Sequence, residues 1–142
     1  MRKVRILVAE DNELWRDYIS SLLLQEPSFE IICEVVDGLQ AVQVAAQHQP
    51  TIALLDIGLP QLSGLDAARS IKTLSPNTAI VFLSGQQDME VIQTALTFAS
   101  GYVLKSDAAS DLIAAIHSAA RGEVFVSRQL TGLRMTPKRE KL

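Results

Sequence analysis

Five residues that could do chemistry together are spread along most of the chain: the acid pair Glu10-Asp11, then Asp56, Ser84 and Lys105. Each closes a run of apolar residues: KVRILVA leads into Glu10-Asp11, TIALL into Asp56, TAIVFL into Ser84 and GYVL into Lys105. Three carboxylates brought together repel one another unless a cation lies among them. Lys105 is one such cation. A hard divalent ion is another, because carboxylates, a backbone carbonyl and water are the oxygen ligands that suit magnesium. Gly58, two residues past Asp56 where the chain turns, could offer that carbonyl. With both cations beside it, an ionised Asp56 can attack phosphorus and form an aspartyl-phosphate. Metal and lysine would offset charge on the transferring group, and Ser84 could donate a hydrogen bond to one of its oxygens.

Taken singly, each residue has a plainer use. Glu10 and Asp11 could be acids at the start of a helix, Asp56 a cap, Ser84 a turn residue and Lys105 a solvated lysine. Five of them on four strand ends are much harder to obtain by chance. His48 and His117 fall in helical stretches away from those ends and read as surface or packing residues.

Positioning such a set requires a sheet whose strands all end on one side. The strand-length apolar runs are residues 3–9, 29–36, 51–56, 78–84 and 101–105. Stretches of helical spacing lie between them. Trp15, Tyr18, Ile19, Leu22 and Leu23 share one helix face, and Leu112, Ile113, Ile116, Ala119 and Ala120 form another stripe. Residues 38–48, 64–74 and 87–98 also read as helices, with Asn12, Ser63 and Asp107 at expected N-caps. Strands joined by helices cannot be hairpin neighbours. The expected fold is therefore α/β, a five-stranded parallel sheet with helices on both faces. In such folds ligands bind outside the carboxyl ends of the strands, where the five residues stand.

Composition is that of one globular domain: 142 residues, 48% hydrophobic and 20% charged. No stretch is long and apolar enough to span a membrane, and Glu10, Asp11 and Glu13 end the first apolar run too early for a signal peptide. Cys33 has no partner for a disulfide and reads as a small buried apolar residue. These features point to a cytoplasmic protein. The net charge of −3 conceals an asymmetry, since residues 127–142 carry five basic residues against Glu140, a net of +4, and the rest −7. An acidic body argues against nucleic-acid binding by the body itself.

The segments VAEDN, LLDIGLPQLSGLDAARSIK, FLSG and GYVLKS, in this order and spacing, resemble the receiver domain of two-component response regulators across about residues 3–121. The resemblance implies a flavodoxin-like fold. It implies that Asp56 accepts a phosphoryl group from a phosphohistidine of a sensor histidine kinase. Glu10, Asp11, Asp56 and the Gly58 carbonyl would hold Mg2+, and Lys105 would pair with the phosphoryl group. Ser84 would move toward the phosphate and Tyr102 would turn inward, changing the surface around the fourth helix, fifth strand and fifth helix. The only catalysis implied is that of the protein's own phosphorylation and dephosphorylation. Departures are small: Leu59 stands where methionine is commoner, and Ser84 where threonine is frequent. Gly58 and Gln86 occupy positions that influence water access to the acyl phosphate in this family, and so its lifetime.

The segment RGEVFVSRQL followed by MTPKREKL resembles the passage from receiver to LuxR-type helix-turn-helix in the NarL/FixJ group. The expected division is a receiver over 1–122 and, over 123–142, a linker with the start of an effector domain. The sixteen residues 127–142 cannot supply two packed helices and a turn. DNA would then be bound only through a full-length effector domain. A homodimer on phosphorylation is expected, with the kinase docking near the first helix and no membrane partner. The apolar residues Met89, Val91, Ile92, Leu96 and Phe98 suggest a partner surface on the fourth helix. Other readings are a stand-alone receiver, an unphosphorylated interaction module, and a flavodoxin-like enzyme or nucleotide binder. No GxGxxG or P-loop pattern supports the last.

Overall fold

The structure is a computed structural model that describes residues 3–127 and residue 130. Strands and helices alternate: β1 (Val4–Ala9), α1 (Glu13–Leu23), β2 (Phe29–Val35), α2 (Gly38–His48), β3 (Ile52–Leu55), α3 (Gly64–Leu74), β4 (Ala79–Ser84), α4 (Met89–Ala95), β5 (Gly101–Leu104), α5 (Ala108–Ala120) and β6 (Phe125–Val126). The strand order is β2-β1-β3-β4-β5-β6, and every pairing among the described residues is parallel. Helical crossovers make parallel neighbours possible, and helices on both faces bury the sheet.

The period-two pleat divides the strand residues between two cores. Leu7, Ala9, Ala53, Leu55, Ile80, Phe82, Tyr102 and Leu104 face Ala41, Ala45, Ala68, Ile71, Ile92 and Ala95 from α2, α3 and α4. Ile6, Val8, Ile52, Leu54, Val81, Leu83 and Val103 face Ile19, Leu22 and Leu23 of α1 and Leu112, Ala115, Ile116 and Ala119 of α5. All four residues of β3 are buried, as its unbroken apolar run requires. Cys33, on the edge strand β2, is only partly buried against the first core.

Three features differ from the sequence-based expectation. The sheet has six strands rather than five. Phe125–Val126 pairs with the free edge of β5, and buried Leu130 joins the first core. The fourth helix is shorter than residues 87–98. Asp88 caps it by accepting from Glu90 N at 2.8 Å, so Gln87 lies outside. Past Ala95 bonds of the i→i−3 type enter, from Thr97 N to Thr94 O and from Phe98 N to Ala95 O. Its apolar residues Val91, Leu96 and Phe98 are partly buried against the first core, which accounts for much of their apolar character. Asp107 makes no side-chain cap bond, because the chain enters α5 through a 3-10 turn over Lys105–Asp107. The caps at Asn12 and Ser63 form as expected. The segment 135–142, read above as an effector start, lies outside the described residues.

Candidate functional site

The strand order reverses at the β1/β3 junction, and there the carboxyl ends of adjacent strands open a crevice. β1 delivers Glu10 and Asp11, and β3 delivers Asp56, which is tied to β1 by a bond from its N–H to the Ala9 carbonyl at 3.2 Å. The ligand oxygens of Glu10, Asp11 and Asp56 lie within 4.8 Å of one another. Past Asp56 the chain is pinned by α3. Gly64 N donates to the Ile57 carbonyl at 2.7 Å, and a Cβ at Gly64 would run into the Asp56 carbonyl. Only glycine allows the start of α3 so close to the acid.

Lys105 follows β5 and reaches across to the acids. Its Nζ is 2.9 Å from Glu10 Oε1 and 3.5 Å from Asp56 Oδ2. Glu10 is almost fully buried, at 1% exposure. Its Oε2 accepts from Asn12 N at 3.0 Å. Its Oε1 has the lysine's charge nearby but no donor aligned for a hydrogen bond. A buried carboxylate oxygen without a directed donor, grouped with two more carboxylates, is a donor set that fits a hard divalent cation. Asp11 is exposed at the rim, and Gly58 lies in the exposed turn beyond Asp56 with open space around its Cα.

Ser84 ends β4 and is buried. Its Oγ accepts from Gln86 N at 3.1 Å. Tyr102, on β5, is buried with its ring near Phe82, and its hydroxyl donates to the Gln86 carbonyl at 2.9 Å. Burial, reinforced by the charge of Asp56, pushes the phenol up to about 12, while a hydrogen bond with Ser84 pulls the other way. Gln86 thus connects the ends of β4 and β5 through both of its backbone groups.

The structure brings Glu10, Asp11, Asp56 and Lys105 together and joins Ser84 to Tyr102 through Gln86, and three further residues border this set. Arg16 donates to the Glu10 carbonyl at 2.9 Å, and the Trp15 ring lies under the Lys105 ammonium, 5.0 Å from Nζ to centroid. Ser127 is buried beside β5. Its N donates to the Tyr102 carbonyl and its Oγ accepts from Leu104 N, both at 2.9 Å. A helical projection from Asp11 places Trp15 one turn on, which was a signal available in sequence. The histidines stand apart. His48 is exposed, and His117 pairs with Glu26 at 3.2 Å near the amino-terminal end of the sheet. That hydrogen bond, then the bonds from Ser28, hold the Glu26 carboxyl below its usual range.

Residues 6–117 match the response regulator receiver domain family. The chain belongs to that family. This receiver is 32% identical to the transcriptional regulatory protein DegU of Brevibacillus brevis, over 91% of this chain and 55% of the relative. It is also 32% identical to the nitrate/nitrite response regulator NarL of Escherichia coli K12, over 89% and 59%. The chain thus spans between half and two thirds of the length of these relatives. Among solved structures, the receiver domain of NarL from Mycobacterium tuberculosis superposes with a TM-score of 0.82 at 27% identity, covering 87% of this chain and 100% of that one. A LuxR-family response regulator from Aurantimonas sp. SI85-9A1 superposes at 0.88 and 25% identity, covering 96% and 98%. The receiver is thus of the NarL/LuxR type, with a flavodoxin-like fold. Among the described residues no helix is long and apolar enough to cross a membrane.

Proposed function

We propose that this receiver is switched by phosphorylation of Asp56. The observation that carries the reading is the convergence of Glu10, Asp11 and Asp56 within 4.8 Å, with Lys105 bridging Glu10 and Asp56. The donor is a phosphohistidine of a sensor histidine kinase. An Asp56 oxygen attacks phosphorus, the P–N bond breaks as the P–O bond forms, and the histidine nitrogen recovers its lone pair. Glu10, Asp11, Asp56 and the Gly58 carbonyl are the residues that would hold Mg2+, which supplies charge neutralisation at the phosphoryl oxygens. Lys105 adds a second positive charge, and Ser84 can donate its hydroxyl. Water ends the phosphorylated state by hydrolysing the acyl phosphate to the Asp56 carboxylate and inorganic phosphate, so the protein acts only on itself.

Output follows from the connections beyond the acid pocket. A phosphoryl group brings charge and strong acceptor oxygens that recruit Ser84 and Lys105. Ser84 is linked through Gln86 to Tyr102, so a shift of Ser84 bears on β4, β5 and the surface of α4, β5 and α5. A homodimer on phosphorylation is part of the same proposal. The kinase docks near α1, where Leu14 is 80% exposed and joins Trp15 and Tyr18 around a shallow hollow of about 200 Å³. We assign residues 1–122 to the receiver and 123–142 to the passage toward a helix-turn-helix, through which a full-length parent would bind DNA in the cytoplasm and regulate transcription. The test is intact mass after incubation with a small phosphodonor and Mg2+. Wild type should gain one phosphoryl group, and Asp56→Asn should gain none. An equal gain by both proteins would sink the assignment.

A further inference from the structure

Trp15, the one tryptophan of the chain, has no part in the chemistry above. Its ring nevertheless lies 5.0 Å from Lys105 Nζ, within the range of a cation–π contact. Trp15 is held through both its backbone and its ring. Trp15 N donates to Asn12 Oδ1 at 2.9 Å, the ring meets Tyr18 edge-on at 5.5 Å, and it packs against the second core. Lys105 needs such help, because a lysine is a strongly hydrated point charge on a flexible stem. Among the described residues its ammonium meets Glu10, Asp56 and this ring, and only 17% of its side chain stays exposed.

We propose that Trp15 is a positioning residue for Lys105, holding the ammonium at the acid pocket in place for phosphoryl transfer. The inference rests on the phosphoryl-transfer reading of Asp56. The ring suits the task because it attracts the cation without neutralising it. Another carboxylate would compete with the phosphoryl oxygens for the same charge. Tryptophan has the strongest ring quadrupole for this contact, phenylalanine a weaker one, and leucine similar apolar character with none.

The test is a double-mutant cycle with acetyl phosphate as donor, so that any effect of α1 on kinase docking is absent. Rates of adduct formation at saturating Mg2+ are compared for wild type, Trp15→Leu, Lys105→Ala and the double variant, with Trp15→Phe as the conservative control. Thermal melting checks that each folds, and Trp15→Phe completes the cycle if leucine is not tolerated. Leucine should slow the wild type about two- to fivefold, phenylalanine less, and neither should slow Lys105→Ala further. A leucine variant as fast as wild type would overturn the inference. So would an equal slowing in the Lys105→Ala background, which marks a merely structural role. A wild type that takes no phosphoryl group overturns the reading of Asp56 itself, and the inference with it.

Discussion

Tyr102 shows how a single side chain ties the site to stability. Its phenol is neutral when buried, and burial raises its pKa from 10.0 to about 12. Below pH 10 neither the folded nor the unfolded state has ionised it, and its contribution to stability is fully present. Between pH 10 and 12 the unfolded chain releases the proton and the folded one keeps it, so that contribution is lost as pH rises. Urea unfolding across this window should therefore fall more steeply for wild type than for Tyr102→Phe. Equal slopes would show that the phenol is not the group responsible. At neutral pH the same variant should lose about 1 kcal/mol, the usual worth of a hydrogen bond such as that to the Gln86 carbonyl. Most residues of the site were legible in sequence because they are ionisable or hydroxylic and end apolar runs. Arg16 and Ser127 were not, and Trp15 was placed only by its helical spacing from Asp11, because their roles depend on groups meeting across elements.

The elements were legible wherever an apolar period ran for several residues. β1, β3, β4 and β5 fall within the runs that announce them, and α2 and α3 begin and end where their alanine-rich stretches do. β6 escaped because a two-residue strand carries no period. What makes it a strand is the unpaired edge of β5, which sequence does not display. Ser127 then closes that edge by binding both the Tyr102 carbonyl and Leu104 N. Ser127→Ala should leave the buried Leu104 N–H without a partner and cost about 1–3 kcal/mol by urea titration. A change within about 0.5 kcal/mol would mean that the strand is held by its backbone bonds alone. The short α4 has a similar lesson, since Asp88 and the Thr94–Thr97 turn set limits that its apolar spacing did not.

At the scale of the whole molecule, the order of strands does the gathering. Residues 46 positions apart, Glu10 and Asp56, meet because β1 and β3 are neighbours at the point where the sheet reverses direction. Parallel strands were predictable from the helices between them, but the strand order was not, since it depends on which crossovers pack best. Folding thus gathers the acid cluster, and a cation that bound there only in the folded state would stabilise it. The melting midpoint of wild type should rise as Mg2+ is added and fall back on chelation. Asp11→Asn, changed at an exposed position, should fold as well without Mg2+ and gain much less from it. The same rise in both proteins would place the bound ion elsewhere.

Phosphorylation at Asp56 is tested by locating the phosphoryl group on the chain. The protein is phosphorylated with a small donor and Mg2+, the acyl phosphate is trapped by borohydride reduction, and the peptides are mapped by mass. Homoserine is expected at position 56 and nowhere else. Reduction at Glu10 or Asp11, or no reduced residue in protein that has taken up phosphate, would contradict it.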